Sequence, residues 1–140
     1  LTACCGIYIV YSDYVHDGGV FLHLTHISSE PLHHQIFRQI RGLILSGALA
    51  AGEELASIRA FALQQKVSVI TVQRAYDDLD RAGLILTRRG KPSIVANISL
   101  NKRKKMVLSR LREQLGPLLS QAKLDGLNEE ELHSEITAFV

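Results

Sequence analysis

Cysteine is almost missing from this chain: two occur in 140 residues, side by side at Cys4 and Cys5. Neighbouring cysteines close only a strained ring, so no disulfide framework is expected, and the composition suits a reducing cytoplasm. Long apolar runs are missing as well. No stretch reaches the ~20 apolar residues of a membrane-crossing helix. Ala3 to Tyr11 is apolar but short, follows no basic region and runs into Ser12-Asp13, so it does not read as a signal peptide. A large excess of one charge is also lacking, since the net charge is +2. A weak total does not exclude nucleic acid, because the placement of basic residues matters more than their sum. Catalytic signatures are absent too. Gly18-Gly19 stands without the rest of a phosphate-binding loop, no Ser/His/Asp arrangement stands out, and no pair of carboxylates marks a cleft. The chain is not expected to be an enzyme. His23, His26, His33 and His34 are close in sequence and of a type that binds zinc or nickel. No cysteine or carboxylate is spaced to complete such a site, and His33 and His34 begin a helix on diverging faces, so neither metal nor cofactor is expected.

What is present falls into three regions. Residues 1–26 form an N-terminal extension. Ile7 to Tyr11 is rich in β-formers and Asp17-Gly18-Gly19 is a turn signal, which fits an added strand or hairpin, while chain termini are often poorly ordered. Both readings stay open. Residues 27–97 carry the pattern helix, helix, turn, helix, hairpin. Pro31 suits a helix start, and Leu32, Ile36, Ile40, Leu43 and Ile44 recur at helical spacing up to Gly47. Ser57 is a good N-cap for a short second helix with Ile58, Phe61 and Ala62 inward. Lys66-Val67-Ser68 makes the turn, and Ser68 caps a third helix whose core face is Val72, Ala75, Tyr76 and Leu79. Gly83 stands where a helix-ending glycine is expected. Leu84 to Thr87 and Ser93 to Ala96 read as two short strands, with Arg88 to Pro92 as the tip between them. Residues 98–140 are helical. Leu108, Leu111, Leu115, Leu118 and Ala122 form a narrow seam of the kind that two helices bury between them, which Gly116-Pro117 should kink. A last helix starts at Asn128, with Glu131 completing a capping box and Leu127 and Leu132 a hydrophobic staple. Leu132 and Ile136 continue its apolar face. Neither helix can bury its stripe alone, and a symmetric partner chain is the simplest cover.

The expected fold class is therefore mainly α with a small β-hairpin: a winged helix-turn-helix domain followed by a short two-helix dimerisation tail. From Glu30 to Asn97 there are nine Lys/Arg and six Asp/Glu, a local balance of +3. Five of the nine (Arg59, Arg74, Arg88, Arg89 and Lys91) fall on elements that a winged domain turns toward DNA. The third helix should present Val69, Ile70, Gln73, Arg74 and Asp77 outward. Gln73 suits the N6/N7 edge of adenine, and Val69 or Ile70 suits thymine methyls. Ser68 and Thr71 stand near a helix N-terminus, where phosphates bind. Arg89-Gly90 suits a minor groove, with glycine allowing close approach and arginine supplying charge. Ser57 and Ser68 are also plain caps, and Arg74 could instead pair with Asp77 or Asp78. Asp77, Asp78 and Asp80 would repel phosphate and are expected to point away from it. Lys102-Arg103-Lys104-Lys105 reads either as a solvated helix start or as a further contact with the DNA backbone.

These residues, in this order, resemble the GntR family of bacterial transcription regulators. Leu55-Ala56-Ser57-Ile58-Arg59 and Thr71-Val72-Gln73-Arg74-Ala75-Tyr76 carry the likeness, completed by Ala82-Gly83-Leu84-Ile85 and Arg88-Arg89-Gly90-Lys91. Gln114 to Leu119, with the short two-helix tail, looks like the YtrA subfamily. The resemblance implies a cytoplasmic homodimer bound to a double-stranded DNA operator, usually as a repressor and often of a neighbouring transporter operon, with Arg59 matching a DNA-contacting arginine. Five departures stand out. Ala56 replaces a usual proline, Ala60 a glutamate, Gln65 a core leucine, Lys66 the turn glycine, and Val69-Ile70 polar residues. They bear on base preference more than on fold. The tail is too short for a large ligand domain, so a small-molecule effector would need a pocket at the dimer interface. The competing reading is a dimeric protein-interaction module that has lost specific DNA binding, motivated by the apolar Val69-Ile70 pair.

Overall fold

The structure is a computed structural model that describes residues 15, 16, 19, 20 and 22–140. The Cys4-Cys5 pair, the Ile7 to Tyr11 run, and Asp17 and Gly18 of the turn signal lie outside the described residues. The chain divides into two compact units, one ending at Ile98 and one spanning Ser99–Val140.

In the first unit, a short antiparallel pair, β1 (Val15–His16) and β2 (Gly19–Val20), precedes three helices. These are α1 (Leu32–Ser46), α2 (Ile58–Gln65) and α3 (Val69–Arg81). Ile36, Ile40, Leu43 and Ile44 of α1 are buried as their spacing requires, and α1 packs mainly against α3. Leu32, expected on that face, is only half-buried, and Gln35 is buried instead. An amide can be buried only if its polar atoms are satisfied. Those of Gln35 are: Oε1 accepts from the Thr25 amide at 3.0 Å, and Nε2 donates to the carbonyls of Thr25 and Glu30 at 2.9 and 2.8 Å. One turn on, Gln39 grips the backbone of His23 in the same two-handed way, at 2.9 and 2.7 Å. Two glutamines of one helix thus pin the backbone of the segment before it.

Gly47 ends α1 in the left-handed conformation, φ 85°. Ser57 caps α2, its Oγ accepting from the Ala60 amide at 3.2 Å. Phe61 and Ala62 are buried, while Ile58 is half-buried. Burying a side chain as large as Phe61 is worth roughly 1.5–3 kcal/mol. Phe61 meets Tyr76 of α3 with ring centroids 5.9 Å apart. The Tyr76 hydroxyl donates to the Ala56 carbonyl at 3.0 Å, and burial pushes its pKa well above the usual phenol value, so it stays a donor. Gln65, in place of a core leucine, has its own partner: Nε2 donates to the Val20 carbonyl at 3.0 Å.

Lys66 ends α2 at φ 56°, ψ 43°, the one described non-glycine residue with positive φ. This is the strained turn that a missing glycine predicts. Lys66→Gly is expected to stabilise the protein by about 0.5–1 kcal/mol, the relief of left-handed strain exceeding the added freedom of the unfolded chain. The urea unfolding midpoint should rise; a lower midpoint would mean that the lysine side chain offsets its own strain.

Ser68 caps α3 by accepting from the Thr71 amide at 3.1 Å, and Val72, Ala75, Tyr76 and Leu79 are buried. Gly83, φ 70°, follows the Ala82 cap. The hairpin reaches further toward its tip than the expected strands: β3 is Ile85–Arg88 and β4 is Lys91–Val95. Its register pairs Ile85 with Val95, Leu86 with Ile94 and Arg88 with Lys91, with an irregularity between Leu86 and Arg88. The tip is therefore only Arg89-Gly90, not Arg88 to Pro92, and Gly90 supplies the positive φ, 71°, that tight hairpins demand. A further edge joins the sheet: Leu55 donates to the Ser93 carbonyl at 2.8 Å and Val95 to that of Glu53 at 2.9 Å, around a bridge between Glu54 and Ile94.

In the second unit, α4 (Leu100–Leu124) starts at the Ser99 cap, and α5 (Glu129–Ala138) starts at Asn128. The Asn128–Glu131 capping box forms with both bonds at 2.9 Å. The Gly116-Pro117 pair, expected to kink the seam, lies inside a helix that continues through it for 25 residues. Proline costs one intrahelical bond and crowds the preceding turn, and here the helix carries that cost without ending.

Candidate nucleic-acid interface

The α3 helix is two-sided. Opposite its core face, Val69 and Ile70 are 47% and 74% exposed, and Gln73, Arg74 and Asp77 are exposed too. Arg59, in the first turn of α2, and Arg88, Arg89, Gly90 and Lys91 of the hairpin are likewise exposed. The local fold explains the placement. Ser57 and Ser68 fix where α2 and α3 begin, and Asp80 on α3 accepts from the Thr87 amide at 3.1 Å, tying β3 to the helix.

The charges are not equally available. Arg88 is held by the Pro92 carbonyl at 3.2 Å and lies 3.7 Å from the Glu54 carboxylate. No spacing in the sequence marks that restraint, because Glu54 joins the sheet only through tertiary pairing. Among the described residues, Arg59, Arg74, Arg89 and Lys91 make no ion pair. The alternative pairing of Arg74 with Asp77 or Asp78 does not form: Asp78 pairs with Arg81 at 3.1 Å, and Asp77 accepts from Gln73 Nε2 at 2.8 Å. Asp77 thus shares the exposed face of Gln73. Ser68 Oγ and Thr71 Oγ1 are 2.7 Å apart, so one hydroxyl hydrogen is used between them and the other is left to donate. A crevice of about 410 Å³ separates the start of α2 from the hairpin, lined by Ser57, Ile58, Tyr76, Arg88, Gly90 and Lys91 among others.

In the second unit, α4 buries no residue of its own. Leu108, Leu111 and Leu118 are 36%, 48% and 65% exposed, and Leu115 and Ala122 are half-buried. On α5, Ile136 is 39% exposed. Leu132, expected to face a partner, is instead 9% exposed and thus covered within its own chain, because α5 folds back against α4. Lys102, Lys104 and Lys105 are exposed at the start of α4, and Arg103 is half-buried. No group of three or more His, Cys, Asp or Glu side chains is gathered among the described residues, and no described helix is long and apolar enough to cross a membrane.

The family model described as bacterial regulatory proteins, gntR family, matches residues 32–95. The chain is 32% identical over 109 residues to the HTH-type transcriptional repressor YtrA of Bacillus subtilis, spanning 78% of this chain and 84% of that protein. Among solved structures, a transcriptional antiterminator from Listeria monocytogenes superposes with TM-score 0.68 at 29% identity, over 86% of this chain and 90% of that one. YtrA from Sulfolobus acidocaldarius, a GntR-family transcription factor, superposes with TM-score 0.53 at 29% identity, over 64% of this chain and 95% of the other.

Proposed function

Because the chain belongs to the GntR family of bacterial regulatory proteins, it is a DNA-binding transcriptional regulator rather than an enzyme, and we propose that it acts in the cytoplasm as a homodimer on a pseudo-palindromic operator, repressing an operon of transporter type. The observation that carries this reading is the exposed face of α3 beside a basic hairpin whose Arg89 and Lys91 have no ion pair among the described residues. In this reading Gln73, Arg74, Val69 and Ile70 meet base edges in the major groove, and Arg89-Gly90 enters the adjoining minor groove. Arg59, Ser57, Ser68, Thr71, Arg88 and Lys91 hold the phosphate backbone and so set the register. The seam of Leu108, Leu111, Leu115, Leu118 and Ala122, none of them buried, with Ile136, supports dimerisation: apolar stripes at this spacing are stable in water when a second helix covers them. Repression and the transporter target rest on the likeness to the YtrA type.

The test is a mobility shift with DNA from upstream of the chain's own gene, excess competitor DNA and a salt series. Operator binding predicts a discrete, sequence-selective shift that weakens steeply with salt as counterions are released. A folded dimer giving no selective shift would favour the second reading, a protein-interaction module, for which the exposed Val69-Ile70 pair is the supporting observation. A small-molecule effector, if one acts on this chain, would bind at the dimer interface.

A further inference from the structure

On the exposed face of α3, the amide of Gln73 is not free to turn. Its Nε2 donates to Asp77 Oδ1 at 2.8 Å, one helical turn on. A carboxylate only accepts hydrogen bonds, so the NH2 end of the amide must face Asp77 and Oε1 must face away. The flipped amide would set two oxygens against each other. One Nε2 hydrogen is used, and the other remains available beside Oε1.

This matters for base reading. Glutamine recognises adenine by donating to N7 while accepting from N6. The order of donor and acceptor across the groove decides which strand of the pair must carry the adenine. An amide that turns freely accepts both A·T and T·A, whereas a fixed amide accepts one. Asp77 also sets a negative charge on a face that approaches phosphates, a cost in affinity without another evident return. We propose that Asp77 is a positioning residue for base recognition: it fixes the polarity of the Gln73 amide, so that α3 distinguishes A·T from T·A at the base pair that Gln73 meets. This rests on the reading of α3 as the base-contacting helix.

The experiment is selection from a randomised DNA duplex pool by the full chain, followed by affinity measurement on the four base-pair variants at each selected position. Wild type, Gln73→Ala, Asp77→Ala, Asp77→Asn and the double alanine variant are compared. The Asp77→Asn change keeps the size of the side chain, but the amide it introduces can meet Gln73 with either end, so it permits both polarities. The wild type should show about tenfold or greater preference for one base pair where Gln73 lies. Gln73→Ala should remove the preference there. Both Asp77 variants should lower the A·T over T·A ratio at that same position severalfold while raising affinity for all sequences, since a negative charge is gone. The double variant should be no less selective at that position than Gln73→Ala alone. A Gln73-dependent preference that survives both Asp77 variants would overturn the proposal and leave Gln73 as an independent reader. A change at a different position would overturn it in favour of Asp77 reading a base itself. No selective enrichment by the wild type would sink the base-contact reading of α3 and this proposal together, a result distinct from both.

Discussion

Leu111→Asp and Leu118→Asp are each expected to turn a dimer into monomers in sedimentation analysis and to lower operator affinity by ~10²–10⁴-fold, the usual gain from linking two binding modules. Both leucines lie on the exposed stripe of α4, which buries none of its own residues. A carboxylate placed in a covered apolar seam must give up its hydration without a partner, which costs several times what a leucine gains there. Both positions belong to the second unit, whereas the DNA-facing side chains belong to the first, so half-site DNA should still bind with the weak affinity of one module. Variants that sediment as dimers would move the interface off this seam. Leu132→Asp tests a different thing. Leu132 is covered within its own chain, so that change should unseat α5 and lower stability rather than act on a partner alone.

Arg59→Ala and Arg89→Ala come next in size. Hydrogen bonds that involve a charged group contribute ~1.5–3 kcal/mol each, so each variant should weaken operator binding by roughly ten- to hundredfold. The slope of log affinity against log salt should fall by about 0.9 for every arginine that neutralises a phosphate. Both side chains are exposed and free of ion pairs among the described residues, so thermal unfolding should hardly change. Arg88→Ala should cost less, because Arg88 is already engaged by Glu54 and the Pro92 carbonyl. Unchanged affinity and salt slope in both the Arg59 and the Arg89 variants would remove them from the DNA face.

The helices and their caps were legible in the sequence because their causes are local. Ser57, Ser68 and Asn128 each cap through a side chain bonded to an amide three residues on, and three-residue spacing is visible along a chain. The turn at Lys66 was legible through the family resemblance, which puts a glycine where this chain holds a lysine in the left-handed conformation. The hairpin was legible in kind but not in extent. Its strands run on to Arg88 and back from Lys91 because a two-residue turn with Gly90 at positive φ lets the ladder close early.

Sequence by itself determined the order of elements from α1 to α5, most of the core positions of α1, α2 and α3, and which basic side chains stand on α2, α3 and the hairpin. Those features follow from periodicity and capping, which act within a few residues. Only the tertiary structure decided which polar groups find partners. It buried Gln35 where Leu32 was expected, because the backbone of Thr25 lies alongside to satisfy the amide. It gave Gln65 the Val20 carbonyl 45 residues away, set Glu54 beside Arg88, and left Arg74 without the partner its own helix offers. A hydrogen bond depends on distances of about 3 Å between groups remote along the chain, and no spacing in the sequence records those distances before the chain has folded.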